Sequence, residues 1–176
     1  MSTEQTGNAL RLRTRFVTVL PIGLIAGTLD LSDAIIYSHI RGVTALRVCQ
    51  YIASGLIGTK SFSMGAESGA LGGILHYFIA MSWTVLFYVA SRRLMILTRR
   101  PILSGLAYGL AVYLFMNLVI VPLSGVPHPK GSPSMISRVN GVLAVMLCIG
   151  LTISILVSKW AKPDRDKAIA ATISTS

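Results

Sequence analysis

Charge is what this chain of 176 residues has least of: charged residues make up 12%, and only six are acidic, where a soluble domain carries about 25% charged residues. With 53% hydrophobic residues and a mean hydropathy of +0.69, this scarcity excludes an ordinary soluble domain and points to an integral membrane protein. Cysteine is also sparse. Cys49 and Cys148 are the only two, the first predicted outside the membrane and the second near the centre of a span, so neither a disulfide framework nor a thiolate metal site is expected. No Ser-His-Asp order, Cys-His pair or metal-ligand spacing converges, so no catalytic residue, metal or cofactor is assigned. A bis-His haem needs two axial ligands on facing helices, whereas only His76 is embedded and His39 stands at the outer end of the first helix. The run Gly55 to Ser61, Gly-Leu-Ile-Gly-Thr-Lys-Ser, is not a phosphate-binding loop, which needs four residues between its glycines and Lys directly after the second.

What the chain does have is apolar runs of spanning length. A hydrocarbon core of about 30 Å needs about 20 apolar residues per helix, and four segments qualify: 16–38, 69–91, 102–124 and 139–160. The predicted fold is an all-α, four-helix membrane bundle. A basic segment, 1–15, precedes it and a polar tail, 161–176, comes after it. The first apolar run is longer than the hydrophobic stretch of a signal peptide and carries two aspartates, so it is expected to be retained. The net charge of +10 does not indicate nucleic acid, because the basic residues flank the spans and form no patch interleaved with aromatics. They report topology instead. With the N-terminus inside, eleven Lys and Arg near the spans fall on the cytoplasmic side and five on the outer side, as the positive-inside rule requires. Both termini are therefore expected in the cytoplasm.

Between the first two spans, residues 45–61 carry a helical period of their own. Arg47, Gln50, Ser54, Gly58 and Ser61 recur on one side, and Leu46, Cys49, Ile52, Ala53, Leu56 and Ile57 on the other. This predicts an amphipathic helix, either lying in the outer interface with Arg47 and Lys60 near lipid phosphates or re-entering over the bundle. The third loop holds Pro127, Pro129 and Pro133 with Gly125 and Gly131, and His128 among them reads as a solvated loop residue. Glycines stand at packing intervals: Gly23 and Gly27, then Gly65, Gly69 and Gly73, then Gly105 and Gly109. Such spacing lets helix backbones approach closely within the bundle, or along a seam with a second copy or another membrane protein.

The polar residues inside the spans locate the chemistry. Taking each span's midpoint as the bilayer centre, Asp30 lies roughly 5 Å toward the outside, Asp33 roughly 9 Å, and His76 and Asn117 roughly 6 Å each. Asp30 and Asp33 share a helix face with Ala26 and Tyr37; His76 shares one with Gly69, Gly72, Ala80 and Trp83; Asn117 with Gly109, Tyr113 and Ser124. Polar residues that share faces with small ones should point into the bundle. An ionisable residue in a span usually faces a partner, a cavity or a pathway. Two carboxylates one turn apart cannot both be ionised cheaply unless a cation or donor intervenes, and His76, Tyr113 and Asn117 are the natural partners. Asp30, Asp33, His76, Tyr113 and Asn117 are thus the candidate pocket. Two functions stay open: binding or passing a proton, cation or small polar solute, or tying helices together in a non-transporting subunit that docks a partner by its glycine faces.

Several short runs carry a resemblance: Ala-Gly-Thr-Leu-Asp from Ala26 to Asp30, Ile-Ala-Ser-Gly-Leu-Ile-Gly from Ile52 to Gly58, Gly72 to His76, Ala-Ser-Arg-Arg-Leu from Ala90 to Leu94, and Met-Asn-Leu-Val-Ile-Val-Pro-Leu-Ser from Met116 to Ser124. Over about residues 20–150 the chain resembles small bacterial inner-membrane proteins of the YagU type. That resemblance implies four membrane helices and a bacterial inner-membrane location. It implies no activity, since none of these runs is a catalytic signature.

Overall fold

The computed structural model describes the backbone of residues 2–127 and 134–160, with side chains from residue 19 onward. His128, Pro129, Gly131, Pro133 and the tail 161–176 lie outside the described residues, as do the side chains of the basic segment. Among the described residues the chain is all-helical. Helix α1 runs from Ser2 to Ile40 without a break; α2 is Ala45–Ile57, followed by a 3-10 turn, Gly58–Ser63; α3 is Ala66–Arg93. After a short helical turn, Ile96–Arg99, come α4, Pro101–Leu123, and α5, Met135–Trp160.

Four of these helices have segments long and apolar enough to cross a membrane: Val19–Ile40, α3, α4 and α5. The fold is therefore that of a multi-pass helical membrane protein, with spans shifted by only a few residues from those read in the sequence. Each long helix gives a stripe to one core made of Ile22, Ala26, Ala80, Phe87, Val112, Ile149, Ile153 and Val157. The large side chains of the opposite faces, such as Ile36, Ile74, Phe78 and Leu118, are exposed, as lipid-facing residues should be.

The glycines explain how closely the helices pack. A Cβ at Gly109 would lie 2.5 Å from the Met146 Cα, and one at Gly105 would lie 2.8 Å from the Leu151 Cα, so α4 and α5 meet backbone to backbone. Gly23 and Gly27 likewise receive Met81, Thr84, Ala80 and Tyr77 of α3, and Gly69 receives Leu46 of α2. Gly73 differs, because nothing lies within 4 Å of a Cβ built there. Where α3 and α4 have no glycine contact, aromatic rings fill the space: Trp83 stands edge-on to Phe115 at 5.5 Å, and Phe87 to Tyr108 at 4.9 Å.

Two spans contain wide, π-helical turns, Met116–Ile120 in α4 and Val145–Leu151 in α5. The first lies directly before Pro122, whose ring would press on the carbonyl of Leu118 in a regular helix. Within the second, the Thr152 hydroxyl donates to the Leu147 carbonyl five residues back, at 3.1 Å, the interval that a π turn favours. Wide turns of this kind are frequent at functional sites.

Helix α2 turns its polar stripe inward. Gln50 is 4% exposed and Ser54 is 0% exposed, as is Ser61 in the turn that follows, while Leu56 on the apolar side is 66% exposed. The periodicity predicted the helix; Gln50 and Ser54 meet protein because α3 and the end of α4 pack there, and Ala53, read on the apolar side, is buried with them while Arg47 is exposed. Positive φ at Gly42 (79°) and Gly58 (66°) makes the two reversals that lay α2 there, a conformation that costs glycine little.

Candidate functional site

Asp30 and Asp33 stand on α1 one turn apart, both half-buried. Ala26 one turn earlier is fully buried, so this stripe turns toward the bundle. Asp33 is joined to α5: the Asn140 Nδ2 donates to the Asp33 Oδ2 at 3.2 Å. Asp30 lies three residues beyond Gly27, where α3 packs on α1. The His76 Nε2 is 2.8 Å from the Gly27 carbonyl. A carbonyl only accepts, so Nε2 carries a proton and ties α3 to α1. Nearby, the Thr28 and Tyr77 hydroxyls are 2.9 Å apart and add a second link between the same helices.

A further polar layer follows toward the C-terminal end of α1. Tyr37, one turn beyond Asp33, has its hydroxyl 2.9 Å from the Ser137 Oγ, and Ser137 is one turn from Asn140. The Arg41 Nη1 donates to the Tyr37 hydroxyl at 3.0 Å and also to the Ser137 Oγ. Three layers therefore follow one another along α1: Arg41 with Tyr37 and Ser137, then Asp33 with Asn140, then Asp30, one turn beyond the Gly27 carbonyl that His76 holds. With both carboxylates ionised, the two inner layers carry a net charge of about −1 if His76 is protonated and about −2 if it is neutral. Such a site favours a proton or a cation.

Among the described residues, neither Tyr113 nor Asn117 is hydrogen-bonded to the carboxylates. Tyr113 is half-buried between α4 and α5, its ring occupying the space left by Gly141, where a Cβ would come within 3.2 Å. Asn117 is exposed, and its Nδ2 donates to the Tyr113 carbonyl of its own helix at 2.9 Å. The amide that meets Asp33 belongs to Asn140, in the first turns of α5. Its signal in the sequence was slight: an amide at the predicted edge of a span reads as a boundary residue. Arg41 was read only as a loop charge, although it lies four residues after Tyr37. Among the described residues, no three His, Cys, Asp or Glu side chains converge as metal ligands would.

No family model, curated protein or solved structure matches the chain. Its own geometry therefore carries the functional argument.

A second polar region lies under α2. The Gln50 Nε2 donates to the Gly65 carbonyl at 3.0 Å, and the Ser68 Oγ donates to the Ser61 carbonyl at 2.6 Å. Gly125 donates its N–H to the Gly55 carbonyl at 2.9 Å and so fixes the end of α4 on α2. Among the described residues, the Ser61 Oγ is buried without a hydrogen-bond partner. This region is built from neutral amides, hydroxyls and backbone groups, and the Arg47 Nη1 lies at its edge, 3.5 Å from the Gln50 Oε1.

Proposed function

We propose that this protein binds and passes a proton, a cation or a small polar solute through the polar column of Asp30, Asp33, His76 and Asn140. The observation that carries this reading is the bond from Asn140 of α5 to Asp33 of α1 at 3.2 Å. It turns a carboxylate toward the bundle, on the same face as Asp30. Ionisable residues in this setting mark pathways and relays more often than they serve as glue. The neutral seam under α2 shows by contrast that this chain joins helices without carboxylates. With His76 Nε2 committed to the Gly27 carbonyl, its Nδ1 is the ring nitrogen left to exchange a proton, and Asp30 follows Gly27 by one turn on α1. Arg41, Tyr37 and Ser137 then form the outer closure of the column.

The charge bias of the loops and the resemblance to YagU-type proteins support a bacterial inner-membrane location with both termini cytoplasmic. Helix α2 would then lie at the outer boundary, folded over the bundle with Leu56 toward lipid.

The test is flux through the full chain in sealed proteoliposomes, read with an entrapped pH dye under an imposed potential. The variant Asp30→Asn with Asp33→Asn is expected to lose most of the proton or cation response while keeping its helical content. Flux equal to wild type would remove the case for the column. One observation favours a second reading, a non-transporting subunit that docks a membrane partner: Gly73 faces open space beside exposed Ile74 and Phe78. A vesicle with no flux from either protein, together with a partner lost on Gly73→Leu, would decide for it.

A further inference from the structure

We infer that the cleft between the end of α1 and the start of α2 binds the head group of an anionic phospholipid. The cleft has a volume of about 390 Å³ and is lined by Ser38, Val43, Arg47, Val48, Tyr51, Phe62 and Pro127. That volume lies in the range of about 300–1,000 Å³ typical of small-molecule sites. Its walls are chiefly apolar, and among the described residues its one charge is the Arg47 guanidinium.

Arg47 is oriented before any ligand arrives. Its guanidinium lies 4.2 Å from the Phe62 ring centroid, and its Nη1 is 3.5 Å from both the Gln50 Oε1 and the Phe62 carbonyl. These partners are neutral, and the contacts sit at the long limit of hydrogen bonding, so a phosphate offering two oxygens to the planar fork would displace little. The hydroxyls of Ser38 and Tyr51 supply further donors. Burial pushes the Tyr51 phenol up from its ordinary value, which keeps it a neutral donor at any physiological pH.

The apolar walls and the location select a lipid over a free anion. Ser38 and Val43 bracket the end of the Val19–Ile40 span, which places the cleft at the boundary between hydrocarbon and head groups. Ile40 and Leu46, 79% and 45% exposed, flank that boundary with apolar surface suited to acyl chains. A phosphate at the guanidinium and a glycerol backbone along Val43, Val48 and Pro127 would satisfy both halves of the lining. The inference does not rest on the proposed pathway, since it uses none of its residues.

Native mass spectrometry of the full chain, released from detergent in the presence of phosphatidylglycerol, phosphatidylcholine or inorganic phosphate, tests it. Phosphatidylglycerol should be retained well above phosphatidylcholine, with inorganic phosphate neither retained nor competing. Arg47→Gln should weaken that retention about tenfold, the loss of roughly one charge-assisted contact. Val48→Trp, which keeps the charge and fills the cleft, should weaken it as well, whereas Arg92→Gln at the far end of α3 should not. Equal retention of the two lipids, retention of inorganic phosphate alone, or wild-type retention in both Arg47→Gln and Val48→Trp would overturn the proposal.

Discussion

The two polar regions of this molecule obey opposite rules of burial. Under α2, Gln50, Ser54, Ser61 and Ser68 are between 0% and 4% exposed and none is ionisable. Along α1, the ionisable Asp30, Asp33 and His76 are all half-buried. The difference arises from solvation: a neutral amide or hydroxyl can be withdrawn from water once it is hydrogen-bonded, whereas a charge also needs a counter-charge or residual access to polar surroundings. The sealed region is thus the one that holds no charge, and the region that holds the carboxylates stays partly open.

Three amides probe that contrast, and each replaced by leucine should give a different loss. Gln50→Leu should cost most, about 2 kcal/mol, because it leaves the Gly65 carbonyl and the Ser68 hydroxyl with fewer partners in a sealed space; a thermal or denaturant melt in detergent reads this directly. Asn140→Leu should cost about 0.6 kcal/mol, the usual value for an interhelical polar contact in a membrane protein. Its larger effect should be on flux, since Asp33 loses its donor from α5. Asn117→Leu should leave both the melt and the flux within about 0.5 kcal/mol of wild type, because this amide bonds only its own helix. If Asn117→Leu and Asn140→Leu exchanged their effects, α4 and not α5 would carry the donor. A cost for Gln50→Leu no greater than that for Asn140→Leu would remove the distinction between a sealed and an open region.

Much of the bundle was legible in the sequence because spanning helices are specified by composition over about 20 residues. Amphipathic α2 was legible for a similar reason, through its three- and four-residue period. The inward direction of its polar stripe was not, since a period gives two faces but does not say which neighbour each will meet. Gly23, Gly27, Gly69, Gly105 and Gly109 packed as their spacing implied, while Gly73 of the same repeat faces open space, because close packing needs a helix on that side. Asp30, Asp33 and His76 were found by a cost local to each residue, that of placing an ionisable group in a span. Their partner Asn140 depended on a contact across 107 positions of sequence.

The sequence by itself determined the membrane class, the four spans and the residues whose charge demands an explanation, because hydropathy and ionisation cost are properties of short segments. Only the tertiary structure decided which groups answer that demand. Asn117 lies within the wide turn Met116–Ile120, and each residue added to a helical turn rotates all later side chains of that helix by about 100°. An azimuth counted at regular α spacing therefore fails across such turns, and the amide facing Asp33 is fixed by how α1 and α5 pack.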